Sequence, residues 1–179
     1  MNDLQTDYER IVRPLEDRMI SSIWRIVHHP SDAEDTLQNA LTTIWRRWGR
    51  VVTHPNPEVL IIKICLDAAY DTLRRRIREQ RHALTFLRRP ESAVTPPSPE
   101  AELNCNELYA AVTAAINQLP RKQALATLLR VVQGQSYEQI AMALSSRQAT
   151  ARKHVERGRE RLRILLARLE SEKTVRNSP

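Results

Sequence analysis

Gln135-Ser136-Tyr137-Glu138-Gln139-Ile140-Ala141-Met142-Ala143-Leu144, followed by Ser145-Ser146 and the run Arg147 to Arg163, decides how the rest of this chain is read. Ser136 with Gln139 three residues on is a capping-box start, and Tyr137, Ile140, Ala141 and Leu144 place one apolar stripe on a short helix. A tight turn follows, then a second helix with seven cations (Arg147, Arg152, Lys153, Arg157, Arg159, Arg161, Arg163) against Glu156 and Glu160. A short helix, a turn and a cationic helix make up the element that enters a DNA major groove.

The whole chain agrees with a partner rich in phosphate. Its 179 residues carry a formal net charge of +7 and a pI near 10.0, and the charge is unevenly placed. Residues 1–40 sum to −4, so the remainder carries +11. An acidic front and a basic rear predict two kinds of partner surface, the basic one attracting phosphate. No long apolar span or cleavable signal is visible, so membrane insertion is not expected.

Several chemistries find no support. Only three glycines occur, Gly49, Gly134 and Gly158, too scattered for a phosphate-cradling loop and too few for a turn-rich β fold. Cys65 and Cys105 stand far apart and are expected as reduced, buried thiols. His28, His29, His54, His82 and His154 lack ligand spacing with cysteines or carboxylates, so no metal site and no cofactor are expected. No nucleophile has a base beside it, and no catalytic residue can be named.

The pattern along the chain is helical throughout. Leu4, Tyr8 and Ile11 mark a first helix that Pro14 interrupts. Leu15, Met19, Ile23, Trp24 and Val27 continue to His28. Ser31 with Glu34 reads as a capping box opening a helix whose inner side carries Ala33, Leu37, Ala40, Leu41, Ile44, Trp45 and Trp48. Gly49 to Pro57 reads as a loop. A long helix from Glu58 has the stripe Leu60, Ile61, Ile64, Cys65, Ala68, Ala69, Thr72 and Leu73, and turns basic over Arg74 to Arg81. Pro90, Pro96, Pro97 and Pro99 mark residues 89–102 as a semi-extended linker. The expected fold class is all-α: two small helical domains, 1–88 and 103–172, joined by that Pro-rich linker and followed by a disordered tail, 173–179.

The ordered set of motifs resembles the extracytoplasmic-function (ECF) RNA polymerase sigma factors of the sigma-70 family, the minimal type with only the second and fourth sigma domains. In the first unit the matching residues are Asp32-Ala33-Glu34-Asp35-Thr36-Leu37-Gln38-Asn39-Ala40, Trp45-Arg46-Arg47, Ile61-Ile62-Lys63-Ile64 and Asp71-Thr72-Leu73-Arg74-Arg75-Arg76. In the second they are Leu119-Pro120-Arg121-Lys122-Gln123, Gly134-Gln135-Ser136-Tyr137-Glu138-Gln139-Ile140-Ala141, Thr150, Arg152, Arg157 and Arg159-Glu160-Arg161-Leu162. Four positions depart from the family pattern. Leu60 stands for the usual aromatic, Asp67 for the usual Asn, and Ser145-Ser146 for Gly and an aliphatic in the turn. A left-handed Ser145 costs on the order of 1 kcal/mol.

The resemblance implies a factor that brings core RNA polymerase to chosen promoters and helps open the duplex. It implies that Asp35, Gln38 and Asn39, which share a helix face at i, i+3, i+4, dock on the β′ clamp coiled coil, and that the second unit meets the β flap. Minus-ten DNA would be met by Val52, Thr53, His54, Asn56, Lys63 and Asp67, with His54 and Asn56 the best candidates for contact with a flipped base. An acid at Asp67 would repel phosphate there. Minus-thirty-five bases would be read by Arg147, Gln148, Thr150, Ala151, Arg152 and His154, while Arg157 and Arg159 position the helix on phosphates. Such a factor is expected to be cytoplasmic and monomeric when free, with an anti-sigma protein as a further implied partner. Two other classes fit parts of the pattern: a stand-alone helix-turn-helix regulator dimerising on a palindrome, and a sigma-like decoy that binds polymerase or an anti-sigma protein without opening promoters.

Overall fold

Every regular element among the described residues is helical: α1 (Asn2–Ile11), α2 (Glu16–Trp24), α3 (Pro30–Arg46), α4 (Trp48–Val52), α5 (Pro57–Phe86), α6 (Glu100–Asn117), α7 (Arg121–Val131), α8 (Tyr137–Ala143) and α9 (Gln148–Arg176). The computed structural model describes the backbone of residues 2–86 and 100–176, and the side chains of residues 6–80, 108–168 and 171. The expected linker therefore lies outside the described residues from 89 to 99. Its last residues, Glu100 to Glu102, already form the first turn of α6. Residues 173–176, expected in the tail, continue α9, since no Gly or Pro interrupts the chain before Pro179.

Helix α5 organises the molecule. The expected stripe is inside apart from half-buried Ala68, with Ile61, Cys65 and Ala69 fully buried and Leu60, Ile64, Thr72 and Leu73 nearly so. Val59, Ile62, Leu66 and Tyr70 are also fully buried. Spaced three and four residues apart, they form a second apolar stripe that the periodicity of one face alone does not single out. A helix apolar on nearly all sides is one with neighbours on nearly all sides. Here α2 and α3 pack against it from the first unit, and α6, α7 and α8 from the second. Each fully buried Leu, Ile or Val contributes roughly 1.5–3 kcal/mol relative to exposure. The two units thus share one apolar core across α5.

Polar groups within this core and at its edge are paired across elements. Thr36 of α3 and Thr72 of α5 join hydroxyls at 2.8 Å, and Arg76 reaches Asp32 at 3.0 Å. The Tyr70 hydroxyl donates to the Leu119 carbonyl at 2.9 Å, tying α5 to the chain just before α7.

Several local expectations are corrected. Helix α3 begins at Pro30 with His29 as its cap, and no Ser31 capping box forms. Proline's fixed φ suits the first helical position, and the His29 carbonyl accepts from Ala33 N–H at 2.9 Å. Trp24 and Trp45, expected inside, are 40% and 47% exposed. The buried faces of their helices run through Ile23 and through Ala33, Thr36, Ala40 and Ile44, and one further residue rotates the tryptophan about 100° away. Trp45 instead stacks on Tyr8, ring centroids 5.8 Å apart and nearly parallel. Helix α2 stops at Trp24, so Ile26 and Val27 are buried beyond its end. Residues 49–52, expected in a loop, belong to α4, leaving only residues 53–56 between α4 and α5.

In the second unit α9 lies against α7, with Gly158 facing Thr127 and Gln123 across the contact. A Cβ there would sit 2.1 Å from Thr127 Oγ1 and 3.2 Å from the Gln123 carbonyl. Alanine gains about 0.5–1 kcal/mol of helix propensity over glycine, but overpacking of this severity costs about 1–3 kcal/mol. Gly158→Ala is expected to lower the urea midpoint, and adding Thr127→Ala, which deletes the opposing hydroxyl, is expected to recover most of the loss.

Cys65 is fully buried, and burial pushes its thiol up to about 12. The side chain of Cys105 lies outside the described residues. In a Cys105→Ser background, Cys65 is expected to resist iodoacetamide at neutral pH and to react promptly in denaturant; mass spectrometry of the two samples checks this.

Candidate nucleic-acid interface

The helix-turn-helix is built by local chemistry. The Gln139 N–H donates to Ser136 Oγ at 3.1 Å, and the Ser136 N–H donates to Gln139 Oε1 at 2.8 Å, so the capping box closes at both ends. At the turn Ser145 takes φ 49°, its N–H donating to the Met142 carbonyl at 3.2 Å while Ser146 N–H donates to the Ala141 carbonyl at 2.9 Å. The left-handed turn forms without glycine. The Arg147 carbonyl then accepts from Thr150 and Ala151 N–H at 2.9 and 3.0 Å, which starts α9.

Helix α9 turns Ala151, Val155 and Gly158 inward. Ala151, expected among the base-facing residues, is completely buried and cannot meet a base edge. His154 is half-buried and its Nδ1 has no hydrogen-bond partner. Burial, with Lys122 and Arg157 nearby, lowers its pKa, so the ring is neutral at pH 7. At 100° per residue, the face opposite Ala151 and Val155 is centred on Ala149, Lys153 and Glu156, flanked by Arg152 and Arg157. Lys153 and Glu156 are therefore among the outward polar groups of the first turns of the helix, and the same stripe arithmetic on the sequence would have found them. Arg147, Gln148, Thr150, Arg152, Arg157 and Arg159 are all exposed.

Not every cation on α9 points outward freely. Arg163 pairs with Glu160 at 2.8 Å, and Arg161 donates to Gln123 Oε1 at 3.2 Å. Arg152 lies over the Tyr137 ring at 5.1 Å from its centroid, and Arg130, which also donates to the Gln135 carbonyl at 2.8 Å, lies 4.9 Å from the same centroid. One aromatic ring of α8 thus gathers two guanidinium groups beside the start of α9.

On the first unit, Asp35, Gln38 and Asn39 are brought together on the exposed side of α3, opposite Ala33, Thr36, Ala40 and Ile44. The residues expected to meet the minus-ten strand are less available. Thr53 Oγ1 donates to the Gly49 carbonyl at 2.7 Å. Asn56 Oδ1 accepts from Val59 N–H at 3.0 Å and so caps α5, while Asn56 N–H donates to His54 Nδ1 at 3.1 Å. His54 and Asn56 therefore hold the entry to α5, and Val52 is half-buried in α4.

Asp67 is enclosed by cations. Lys63 Nζ lies 2.9 Å from one of its oxygens, and Arg121 of α7 lies 2.6 Å from the other. Arg121 also forks onto both oxygens of Asp71 at 2.6 and 2.8 Å. Its hydrogen bonds to Asp71, with Asp67 adding, hold its guanidinium above its ordinary pKa against the opposing effect of burial. The expected repulsion between Asp67 and phosphate is thus already answered within the chain. Beside this cluster is a cleft of about 1010 Å³ whose walls include Asn39, Arg47, Asp67, Arg74, Arg78 and Arg121. Among the described residues no three His, Cys, Asp or Glu come close enough to hold a metal ion, and no helix is long and apolar enough to cross a membrane.

Comparison with known proteins converges on one group. Residues 109–162, from within α6 to about the middle of α9, match the sigma-70 region 4 family. Over 148 residues the chain is 32% identical to the RNA polymerase sigma factor CarQ of Myxococcus xanthus, covering 83% of this chain and 82% of that one. It is 31% identical over 170 residues to the ECF RNA polymerase sigma factor SigE of Mycolicibacterium smegmatis, covering 92% of this chain but only 63% of the relative's length. The sigma factor RpoE of Bartonella quintana, solved in complex with the anti-sigma factor NepR, superposes with a TM-score of 0.51 over 93% of this chain and 98% of its own at 22% identity, a likeness of fold. The polar face on α3, the capped helix-turn-helix with its cationic second helix, and this similarity along most of its length establish that the chain belongs to the ECF group of the sigma-70 family of RNA polymerase sigma factors.

Proposed function

We propose that this chain joins core RNA polymerase, directs it to a subset of promoters and assists opening of the duplex there, acting by binding and not as an enzyme. The observation that carries this reading is the presence, on one chain, of an exposed Asp35–Gln38–Asn39 face and a helix-turn-helix with outward cations. A stand-alone regulator has no use for the first. In this reading the α3 face docks on the β′ clamp coiled coil, where Gln38 and Asn39, each able to donate and accept, meet a helix of mixed polarity. The second unit meets the β flap and minus-thirty-five DNA. Lys63 and Asp67, with the α4–α5 connection, meet the minus-ten strand. The protein then works in the cytoplasm, and an anti-sigma protein is a natural further partner, as the B. quintana relative has one.

Purified core polymerase with this chain is expected to give discrete transcripts from a fragmented genomic library. Gln38→Ala with Asn39→Ala is expected to weaken holoenzyme formation in a competition assay while helicity is retained. Binding to core with only background transcription would instead favour the decoy, and a two-fold dimer on a palindrome the stand-alone regulator.

The geometry of α9 separates base reading from phosphate contact. Arg147→Ala and Lys153→Ala are expected to relax preference at single positions of the upstream element, each losing ~1–3 kcal/mol on the preferred base. Glu156 is placed to accept from a cytosine amino group, so Glu156→Ala is expected to relax preference for that base. Arg159→Ala is expected to weaken all sequences alike and to flatten log K against log salt by about one unit. Titrations of a randomised upstream element at several salt concentrations distinguish the two patterns.

A further inference from the structure

The cleft of about 1010 Å³ beside α5 carries more cations than the chain itself uses. Arg47, Arg74, Arg75 and Arg78 line it, and among the described residues none of the four has a carboxylate partner. Arg74 lies over the Tyr70 ring, 5.8 Å from its centroid. Set against Glu79 on the same walls, the four guanidinium groups leave a local excess of positive charge. Concave walls of low dielectric focus that field into the cleft. Its volume lies at the upper end of the roughly 300–1,000 Å³ of small-molecule sites.

The groups are ordered along its length. Thr36 meets Thr72 and Asp32 meets Arg76, so α3 runs antiparallel to α5. Asn39, Thr43 and Arg47 of α3 therefore stand toward the Ile64–Ala68 end of the cleft, while Arg74, Arg75 and Arg78 gather at the other end with Ile77. From Ile64 to Arg78 the helix rises about 21 Å at ~1.5 Å per residue. Midway the wall is electrically neutral, Lys63 and Arg121 answering Asp67 and Asp71. One end is thus cationic, and the other has an apolar floor edged by an amide, a hydroxyl and a guanidinium plane.

We propose that this cleft binds a nucleoside di- or triphosphate. The phosphates sit on Arg74, Arg75 and Arg78, whose planar forks match phosphate oxygens. The base lies over Ile64 and Ala68, where the Asn39 amide both donates and accepts and so pairs with a base edge. Arg47 supplies a plane that stacks on the base. A nucleic-acid strand or a free polyphosphate would spread charge along the whole cleft, over the neutral middle and the apolar floor. A nucleotide puts its charge at one end only, as the walls do. The binding does not rest on the sigma-factor reading above and is measured on the free chain.

The test uses the full chain and mant-GTP, a GTP with a fluorescent group on its ribose. Saturable binding is expected, with unlabelled GTP displacing the probe. GMP, which lacks the outer phosphates, and inorganic tripolyphosphate, which lacks the nucleoside, are each expected to displace it about tenfold less well. Arg75→Gln with Arg78→Gln is expected to weaken GTP about tenfold. Both side chains are exposed and without a carboxylate partner among the described residues, so the helix is retained. Ala68→Leu, which adds bulk over the floor, is expected to weaken GTP by a similar factor and to leave tripolyphosphate unchanged. Should either variant lose helicity by circular dichroism, Arg74→Gln carries the phosphate arm and Arg47→Gln the base arm. Absence of saturable binding at millimolar probe overturns the site, and undiminished GTP affinity in the variants of both arms overturns its location. Equal affinity for GTP and tripolyphosphate overturns the nucleotide in favour of a free oligophosphate. Displacement by a short random-sequence single strand at lower concentration than GTP overturns it in favour of a strand groove.

Discussion

The enclosure of α5 on nearly every side is the constraint on which the rest depends. Between Val59 and Leu73 only Lys63, Asp67, Ala68 and Asp71 escape burial. Over four turns the helix keeps only this narrow strip toward solvent, so its neighbours come from both units. The second stripe, Val59, Ile62, Leu66 and Tyr70, is what makes the two halves one core. Its few polar positions are grouped where the halves meet, so one interface is made of apolar contact in its depth and ion pairs at its edge. Apolar depth gives it stability, and the polar edge gives it an orientation.

Charge is placed with the same economy. Arg121 answers Asp67 and Asp71, Arg76 answers Asp32, and Arg161 and Arg163 are held by Gln123 and Glu160. What is left for an external polyanion includes the start of α9, where two guanidinium groups share the Tyr137 ring, and the Arg47, Arg74 and Arg78 walls of the cleft beside α5. A formal charge of +7 therefore overstates how evenly the surface attracts phosphate. Local fields, and not the net charge, set where a nucleic acid lands.

The fold was largely legible from periodicity. The helix-turn-helix, the capping box at Ser136, the left-handed Ser145 and the inner stripe of α5 all follow from spacing and local chemistry, because those signals live within a few residues. What was not legible is contact between segments distant in sequence. Nothing in the stripe Val59, Ile62, Leu66, Tyr70 announces that α7 and α8 will cover it, and nothing near Asp67 announces Arg121. Trp24 and Trp45 misled because size and apolarity predict burial on average, while the angle one residue past Ile23 or Ile44 decides it. Ala151, expected at the bases, is buried for the same reason. His54 and Asn56 were expected to contact a flipped base because the resemblance places that contact in their loop, whereas starting a helix as long as α5 engages the polar groups just before it.

Helix α9 spans 29 residues, about 43 Å at 1.5 Å per residue. Only its first half, with Ala151, Val155 and Gly158, is clamped in the core; by Ile164 the side chains are emerging. A rod held at one end converts angle into displacement. A tilt of about 5° at the recognition end sweeps its far tip through about 4 Å, more than the length of a hydrogen bond. A small change in how the first turns sit in the groove is thus broadcast to a point well away from the DNA, and anything gripping that tip has mechanical leverage over the fit at the bases.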